Sequence, residues 1–125
     1  MCERDWKRIA QREAIRYREH KAFIRGVEDA SGAVTERYLN SVRWTAAIDA
    51  VLDYLHRHDG EQERFFRRLF GIDGARRYRG EKGMKALSTE LCVSLSALYR
   101  WKNNLLSLLM LAAAQTGALR PFRIE

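Results

Sequence analysis

One helical face between residues 94 and 103 carries side chains that can read the edges of DNA bases. If Leu98 and Leu105 face inward, helical periodicity places a largely polar set outward. This set comprises Ser94, Leu95, Ser96, Tyr99, Arg100, Lys102 and Asn103. An Arg guanidinium pairs with O6 and N7 of guanine, and an Asn carboxamide pairs with N6 and N7 of adenine. We predict that Ser96, Tyr99 and Arg100 contact bases.

Other side chains near this face are suited to the phosphate backbone. In a helix-turn-helix the N-terminal half of the second helix reaches deepest into the groove, so residues further along lie nearer the phosphates. We therefore predict phosphate contacts from Lys102 and Asn103 on the second helix, and from Lys82 and Lys85 at the start of the first. The alternative for each is an ordinary solvated side chain.

Segment 85–106 has the pattern of two helices joined by a tight turn. If Cys92 is the turn residue, the small Ser88 falls where the helices cross and Ser94 falls at the N-cap of the second helix. The apolar anchors then fall on Leu87, Leu91, Val93, Leu98 and Trp101. Glycine is usual at the turn because a Cβ is strained at positive φ, so Cys92 is a departure. An antiparallel helix pair within an all-α core remains the alternative.

No other group of residues has the spacing of a catalytic or metal site. His20 stands alone on a basic segment, and His56 and His58 are too close together to offer two ligands on one helical face. Asp49 and Asp53 could hold a divalent ion, but their i, i+4 spacing is more typical of a solvated face. We expect no enzymatic activity, no cofactor and no metal.

The two cysteines and the apolar runs indicate the cellular compartment in which the protein is expected. Cys2 and Cys92 are too far apart in sequence for a metal-ligand motif, and two cysteines form no disulfide framework. Cys92 lies among apolar residues and is predicted to be a small buried hydrophobe. The first residues contain no apolar signal segment, and the longest apolar run, "LLSLLMLAAA", is about half of a bilayer span. We expect a cytoplasmic protein with no membrane partner.

Positive charge is concentrated at the two ends of the chain. The net charge is +7, made up of +4 over residues 1–27, −3 over residues 28–60 and +6 over residues 61–125. Basic surfaces attract phosphate polymers, although a solvated surface without a partner has the same composition. The distribution favours a nucleic-acid partner for one or both ends.

Helix-forming segments account for most of the chain, and we predict an all-α fold. A helix is predicted over 3–30, a second over 36–58 with Gly60 as its C-cap, and a third over "EQERFFRRLFG" with its Phe and Leu side chains inward. The inward stripe of the second helix is predicted to be Leu39, Val42, Ala46, Ile48, Val51, Leu52 and Leu55. The basic stretch "GIDGARRYRGEKG" is predicted to be a loop, and the long last helix should continue to Gly117. Residues 1–60 would form a helical packing or oligomerisation region, and residues 61–125 a helix-turn-helix region.

The second half also resembles a known family of regulators. The segment "RFFRRLFG…KALSTELCVSLSALYRWKNNLLSLLMLAAAQTGALRP" is similar to the sigma-region-4-like helix-turn-helix of small phage and prophage proteins, the ArpU/RinA-like late-operon transcriptional regulators. This resemblance covers roughly residues 61–121 and leaves the first half unmatched. It implies sequence-specific binding to double-stranded DNA, with RNA polymerase as a candidate partner.

The last helix also predicts self-association. One apolar stripe includes Leu98 and Leu105, and a second includes Leu106 and Met110, so much of the helix circumference needs to be covered. A homodimer would cover the second stripe, and the alternative is that helix 36–58 does so within a monomer. Two other functions remain open: a small terminase subunit for phage DNA packaging, and a helical protein-interaction module without DNA binding.

Overall fold

Six α-helices make up the protein in a computed structural model that describes residues 3–74 and 76–119. The helices are α1 (Glu3–Ile15), α2 (Tyr17–Asp29), α3 (Glu36–His58), α4 (Gly60–Phe70), α5 (Gly80–Leu91) and α6 (Leu95–Thr116). The described residues contain no strand, so the predicted all-α fold is confirmed. None of the described helices combines the length and apolarity needed to cross a membrane.

The predicted helix over 3–30 is in fact two helices that meet at Arg16. This residue has φ −90° and ψ 10°, which departs from helical geometry although the flanking residues are helix formers. The break follows from packing, because α1 lies against α6 whereas α2 lies against α3. Each half of the predicted helix thus has its own main packing partner, and tertiary contacts override the local helix preference here.

The ends of α3 are fixed by side-chain caps. Thr35 accepts a hydrogen bond from the Tyr38 backbone N–H at 3.1 Å and begins the helix. Asp59 follows the last residue of α3 and also caps α4, because its carboxylate accepts from the backbone N–H of Gln62 at 3.1 Å. The prediction that Gly60 is the C-cap of α3 was wrong, since Gly60 is the first residue of α4.

The buried face of α3 also differs from its predicted stripe. Val42 and Ala46 are exposed, whereas Trp44 and Ser41 are buried. The bulk of Trp44 dominates the packing, and Ser41 is drawn inward by a hydrogen bond to His20 of α2. The full buried set of α3 is Ser41, Trp44, Ala47, Ile48, Val51, Leu52 and Leu55.

A single hydrophobic core contains residues from both halves of the chain. It includes Ala10 and Ala14 of α1, Phe65 of α4 and Leu109 of α6. The four inward residues predicted for α4, Phe65, Phe66, Leu69 and Phe70, are all buried. The division at residue 60 therefore separates two stretches of sequence but not two cores.

Helix α6 is covered within the chain along most of its length. Leu106 and Leu109 of the second apolar stripe are buried, and Met110 is half-buried, because α3 and α1 pack on α6. Most of this stripe is therefore covered within the chain, as in the monomer alternative. The helix ends as predicted at Gly117, which adopts φ 82°. Arg120 and Pro121, at the end of the segment that carries the family resemblance, lie outside the described residues.

Candidate nucleic-acid interface

The turn between α5 and α6 has the turn residue and the cap that the sequence predicted. Cys92 adopts the left-handed conformation, with φ 56° and ψ 42°, and its backbone N–H donates to the carbonyl of Ser88. The Val93 N–H donates to the same carbonyl at 3.2 Å, and the Ser88 hydroxyl donates to the Val93 carbonyl at 2.5 Å. Ser88 thus closes the turn with its backbone and side chain. Cys92 is exposed, so the prediction that it is a buried hydrophobe was wrong.

The second helix begins at its predicted cap. Ser94 has φ −60° and ψ 147°, and its hydroxyl accepts from the Ala97 N–H at 3.2 Å. Leu98 is fully buried, and Trp101 lies half-buried with its ring edge-to-face against Phe65 at a centroid distance of 5.9 Å. These anchors orient the opposite side of α6 toward solvent.

The predicted base-reading residues all lie on that solvent side. Ser96 and Arg100 are exposed, and Tyr99 has 44 % of its surface exposed. Leu95 is half-buried against the core, so it is a packing residue and its assignment to the outward set was wrong. Ser94 is exposed at the cap, where a phosphate oxygen could also approach.

The predicted phosphate-contacting residues occupy different environments. Lys82 and Lys85 are exposed on the first turns of α5, and Lys85 lies 3.5 Å from the Glu81 carboxylate. The Asn103 carboxamide oxygen accepts a hydrogen bond from Lys7 of α1 at 2.7 Å. Lys102 is half-buried, and burial together with the nearby charge of Arg77 lowers its pKa. Of the three predicted lysines, the two on α5 are therefore exposed surface cations and Lys102 is not.

The structure adds two basic elements whose position was not evident from the sequence. Helix α1 lies beside α6, and a groove between them is lined by Arg4, Lys7 and Arg8 on one side and by Tyr99 and Lys102 on the other. The loop before α5 brings Arg76, Arg77 and Arg79 to the same region, next to Lys82. The sequence shows the charge of both segments but not their proximity to α6, which depends on the break at Arg16 and on the path of the loop.

His20 has a structural environment that its sequence context did not reveal. Its Nε2 lies 2.6 Å from the Glu13 carboxylate, and its Nδ1 lies 2.8 Å from the Ser41 hydroxyl. This serine, histidine and acid have the residue types of a hydrolase triad. All three are 3 % exposed, however, so no substrate can reach them in this conformation. The cluster joins α1, α2 and α3 as a buried polar contact.

The aspartate pair considered as an ion site is engaged with other side chains. Asp49 accepts a hydrogen bond from the Tyr17 hydroxyl at 2.5 Å, and Asp53 pairs with Arg57 at 2.5 Å. No group of three or more potential ligands with metal-binding geometry occurs over residues 3–74 and 76–119. The surface around α6 is thus the strongest candidate site in the part of the chain that the structure describes.

Comparison with known proteins found no relative of this chain. No protein-family model, no curated protein and no solved structure matches the chain, so the interface is interpreted from its own residues.

Proposed function

We propose that the protein binds double-stranded DNA in a sequence-specific manner and acts as a phage-type transcriptional regulator. The N-terminal half of α6 enters the major groove, and α5 crosses the phosphate backbone. The observation that carries this proposal is the turn, in which Cys92 adopts the left-handed conformation and Ser94 caps the next helix. Both details were predicted from the docking motif, and a generic antiparallel helix pair requires neither.

The exposed face of α6 supports base reading. Among the described residues Arg100 has no hydrogen-bond or ion-pair partner, so its five N–H donors are available to a ligand. Ser96 and Tyr99 lie on the same open face. A bidentate contact between Arg100 and a guanine would discriminate against other bases by about 1–3 kcal/mol.

The flanking charges support backbone binding. Lys82 and Lys85 are exposed on α5, while Arg4 and Arg8 of α1 line a groove beside Tyr99 and Lys102 of α6. Cations beside a reading helix are suited to the phosphates that border a major groove. Both basic ends of the sequence therefore contribute cations to grooves beside α6.

The proposal is tested by selecting bound duplexes from a random pool and measuring affinity by fluorescence anisotropy. Arg100→Ala should lose about 1–3 kcal/mol on the selected site and relax the preference at one base position. Lys85→Ala should weaken selected and random duplexes alike and lower the salt slope by about one. Arg57→Ala, which removes the same charge from a different surface on α3, is the matched control.

Two results would contradict the proposal. The first is an unmodified protein with no salt-sensitive binding to any duplex. The second is an Arg100 variant that loses the same amount of affinity for selected and random duplexes, because that result would show that Arg100 of α6 does not read bases.

A further inference from the structure

The basic loop that precedes α5 is held in place by residues other than its exposed arginines. Arg68 of α4 donates to the Tyr78 hydroxyl at 2.8 Å and to the Glu90 carboxylate at 2.9 Å. The Tyr78 hydroxyl donates to the other Glu90 oxygen at 2.8 Å, and the Arg68 guanidinium lies over the Tyr78 ring. This network ties the loop to α4 and α5, so the positions of Arg77 and Arg79 do not depend on their own side-chain contacts.

Gly83 allows this loop to lie close to the first turns of α5. A Cβ at Gly83 would be 2.8 Å from the Tyr78 carbonyl carbon and 3.1 Å from the Tyr78 Cβ. The glycine is buried beneath the loop backbone. A side chain here would displace the loop, so the close approach is built into the sequence.

The anchored loop forms one wall of a groove, and α6 forms another. Arg77, Arg79, Lys102, Tyr99 and Gln11 line this groove. Glu81 also borders it, but its carboxylate is exposed and lies 3.5 Å from the Lys85 ammonium. Within the described chain, no carboxylate forms an ion pair with Arg77, Arg79 or Lys102. The groove therefore holds three cations that are not ion-paired and one exposed carboxylate that lies beside Lys85.

This arrangement is unfavourable in the absence of a ligand. Burial and the charge of Arg79 lower the pKa of Arg77, and burial and the charge of Arg77 lower the pKa of Lys102. Arg79 also occupies the N-cap of α5, where it makes no side-chain cap, although Ser or Asp there would stabilise the helix by about 1 kcal/mol. Burial and neighbouring positive charge thus disfavour the charged forms of Arg77 and Lys102, and Arg79 leaves the N-terminus of α5 without a side-chain cap.

We propose that Arg77, Arg79 and Lys102 form a preformed phosphate site, occupied by a backbone phosphodiester of bound duplex. The guanidinium N–H groups and the Lys102 ammonium donate to the non-bridging oxygens, and the anion relieves the repulsion among the three cations. The identity of the occupant rests on the proposed function, because Lys102 lies on α6 two residues after Arg100. The site fixes the register of α6 on the duplex and carries no base preference.

The test uses Lys102→Met and Arg77→Met, with Arg57→Gln as a control for the loss of one positive charge on another face. Thermal melting is measured with inorganic pyrophosphate and with chloride at matched ionic strength. Pyrophosphate should raise the melting temperature of the unmodified and control proteins. Lys102→Met should melt at a higher temperature than the unmodified protein without anion, because it removes the repulsion, and it should lose the response to pyrophosphate.

Duplex affinity is measured on the same variants. Lys102→Met and Arg77→Met should each weaken selected and random duplexes by a similar factor of about ten and lower the salt slope by about one. The loop variant Arg77→Met makes the test independent of any packing change at Lys102 on α6.

The outcomes distinguish this site from the proposed function. If duplex binding depends on Arg100 but both methionine variants keep full affinity and the pyrophosphate response, the phosphate site is refuted and the proposed function stands. If no duplex binds but the pyrophosphate response depends on Arg77 and Lys102, the site stands, its occupant is a free phosphate compound, and the proposed function fails. If the unmodified protein responds to neither ligand, both proposals are refuted.

Discussion

Glu13, His20 and Ser41 form a buried polar cluster that joins three helices. Burial alone would raise the pKa of Glu13, but the hydrogen bond and charge of His20, with the charges of Arg16 and Arg12, outweigh it, so the pKa lies below its ordinary value. Each of the three side chains has a hydrogen-bond partner inside the protein. Replacing one of them should therefore lower the stability more than replacing all three by apolar residues.

We predict that His20→Ala lowers the free energy of unfolding by about 3 kcal/mol, because the buried Ser41 hydroxyl and the Oε2 atom of Glu13 both lose their hydrogen bond to His20, and Arg12 and Arg16 contact only Oε1 of Glu13. The triple variant Glu13→Leu, His20→Leu, Ser41→Ala should recover much of this loss. Urea denaturation measures both. An equal or larger loss in the triple variant would contradict this account of the cluster.

The same cluster predicts an acid-sensitive stability. Because the folded pKa of Glu13 is depressed, its contribution is present above the ordinary glutamate pKa of about 4.3 and is lost as pH falls through the folded value. We expect Glu13→Gln to flatten the decline of unfolding free energy between about pH 5 and about pH 3. Glu19→Gln, on the exposed surface of α2, is the control for the replacement of one carboxylate beside Arg16.

Cys92 is a non-glycine residue at positive φ. We predict that Cys92→Gly stabilises the protein by about 0.5–1 kcal/mol, because relief of the left-handed strain exceeds the added entropy of the unfolded chain. Cys92→Ala keeps the Cβ and the strain, so it should show no such gain. Thermal melting of the two variants decides between strain and loss of the thiol as the cause.

Residues with local partners were the most predictable from the sequence. Ser94 and Cys92 were placed correctly because a cap and a turn depend on neighbours within five residues. His20 was not, because its partner Ser41 is 21 residues away on another helix. Leu95 was misjudged in the same way, since its burial depends on the core. The predicted phosphate contact of Lys102 stays a prediction, although the sequence did not indicate the half-buried position of this residue.

At the scale of elements, two glycines inside helices have opposite surroundings. A Cβ added at Gly26 in α2 would have no neighbouring atom within 4 Å, whereas one added at Gly83 in α5 would press against the Tyr78 backbone. Glycine is about 1 kcal/mol worse than alanine in a helix interior. The same substitution should therefore have opposite signs at the two positions.

We predict that Gly26→Ala stabilises the protein by about 0.5–1 kcal/mol through helix propensity. Gly83→Ala should destabilise it by about 1 kcal/mol, because overpacking against the loop costs more than the propensity gain. Gly83→Ala should also weaken the pyrophosphate response by displacing the arginine loop. If the Gly83→Ala protein is instead more stable and keeps its pyrophosphate response, then displacement of the loop affects neither the stability nor the phosphate site.

The helices themselves were largely predictable, and their boundaries less so. Periodicity identified α3, α4 and α6, and the basic loop was recognised from its glycines. The end of the predicted loop was wrong, because residues 80–83 form the first turn of α5. The break at Arg16 has no local signal, because no Gly or Pro lies nearby and the neighbouring residues favour helix. It arises because α1 and α2 have different packing partners. These partners, α6 and α3, are distant in the sequence, so the residues around Arg16 do not reveal the break.

At the scale of the whole molecule, the burial of one face of α6 predicts different effects for substitutions on its buried and exposed faces. Leu106 is 6 % exposed beneath α1 and α3, whereas Leu111 on the same helix is 65 % exposed. We predict that Leu106→Glu lowers the free energy of unfolding by about 4 kcal/mol or more, and that Leu111→Glu changes it by less than about 0.5 kcal/mol. Urea denaturation of both variants makes the comparison.

The same two variants bear on self-association. A folded Leu106→Glu protein that merely changes its subunit number would show that this face is an interface between copies. Light scattering on the unmodified protein then separates the remaining functions: a dimer favours a regulator that binds paired half-sites about 34 Å apart, whereas a ring of many subunits favours a packaging protein.

The contact between α1 and α6 also shapes how the chain reaches its folded state. Lys7 and Asn103 are 96 positions apart in sequence, yet their side chains meet. During synthesis from the N-terminus, α1 and the inner face of α3 must therefore wait for the last helix before their apolar residues are covered. Closing so long a loop slows folding relative to a bundle stabilised by neighbouring helices. The helix proposed to read DNA is thus also the one that completes the fold, so the proposed function requires a complete core before DNA can be bound.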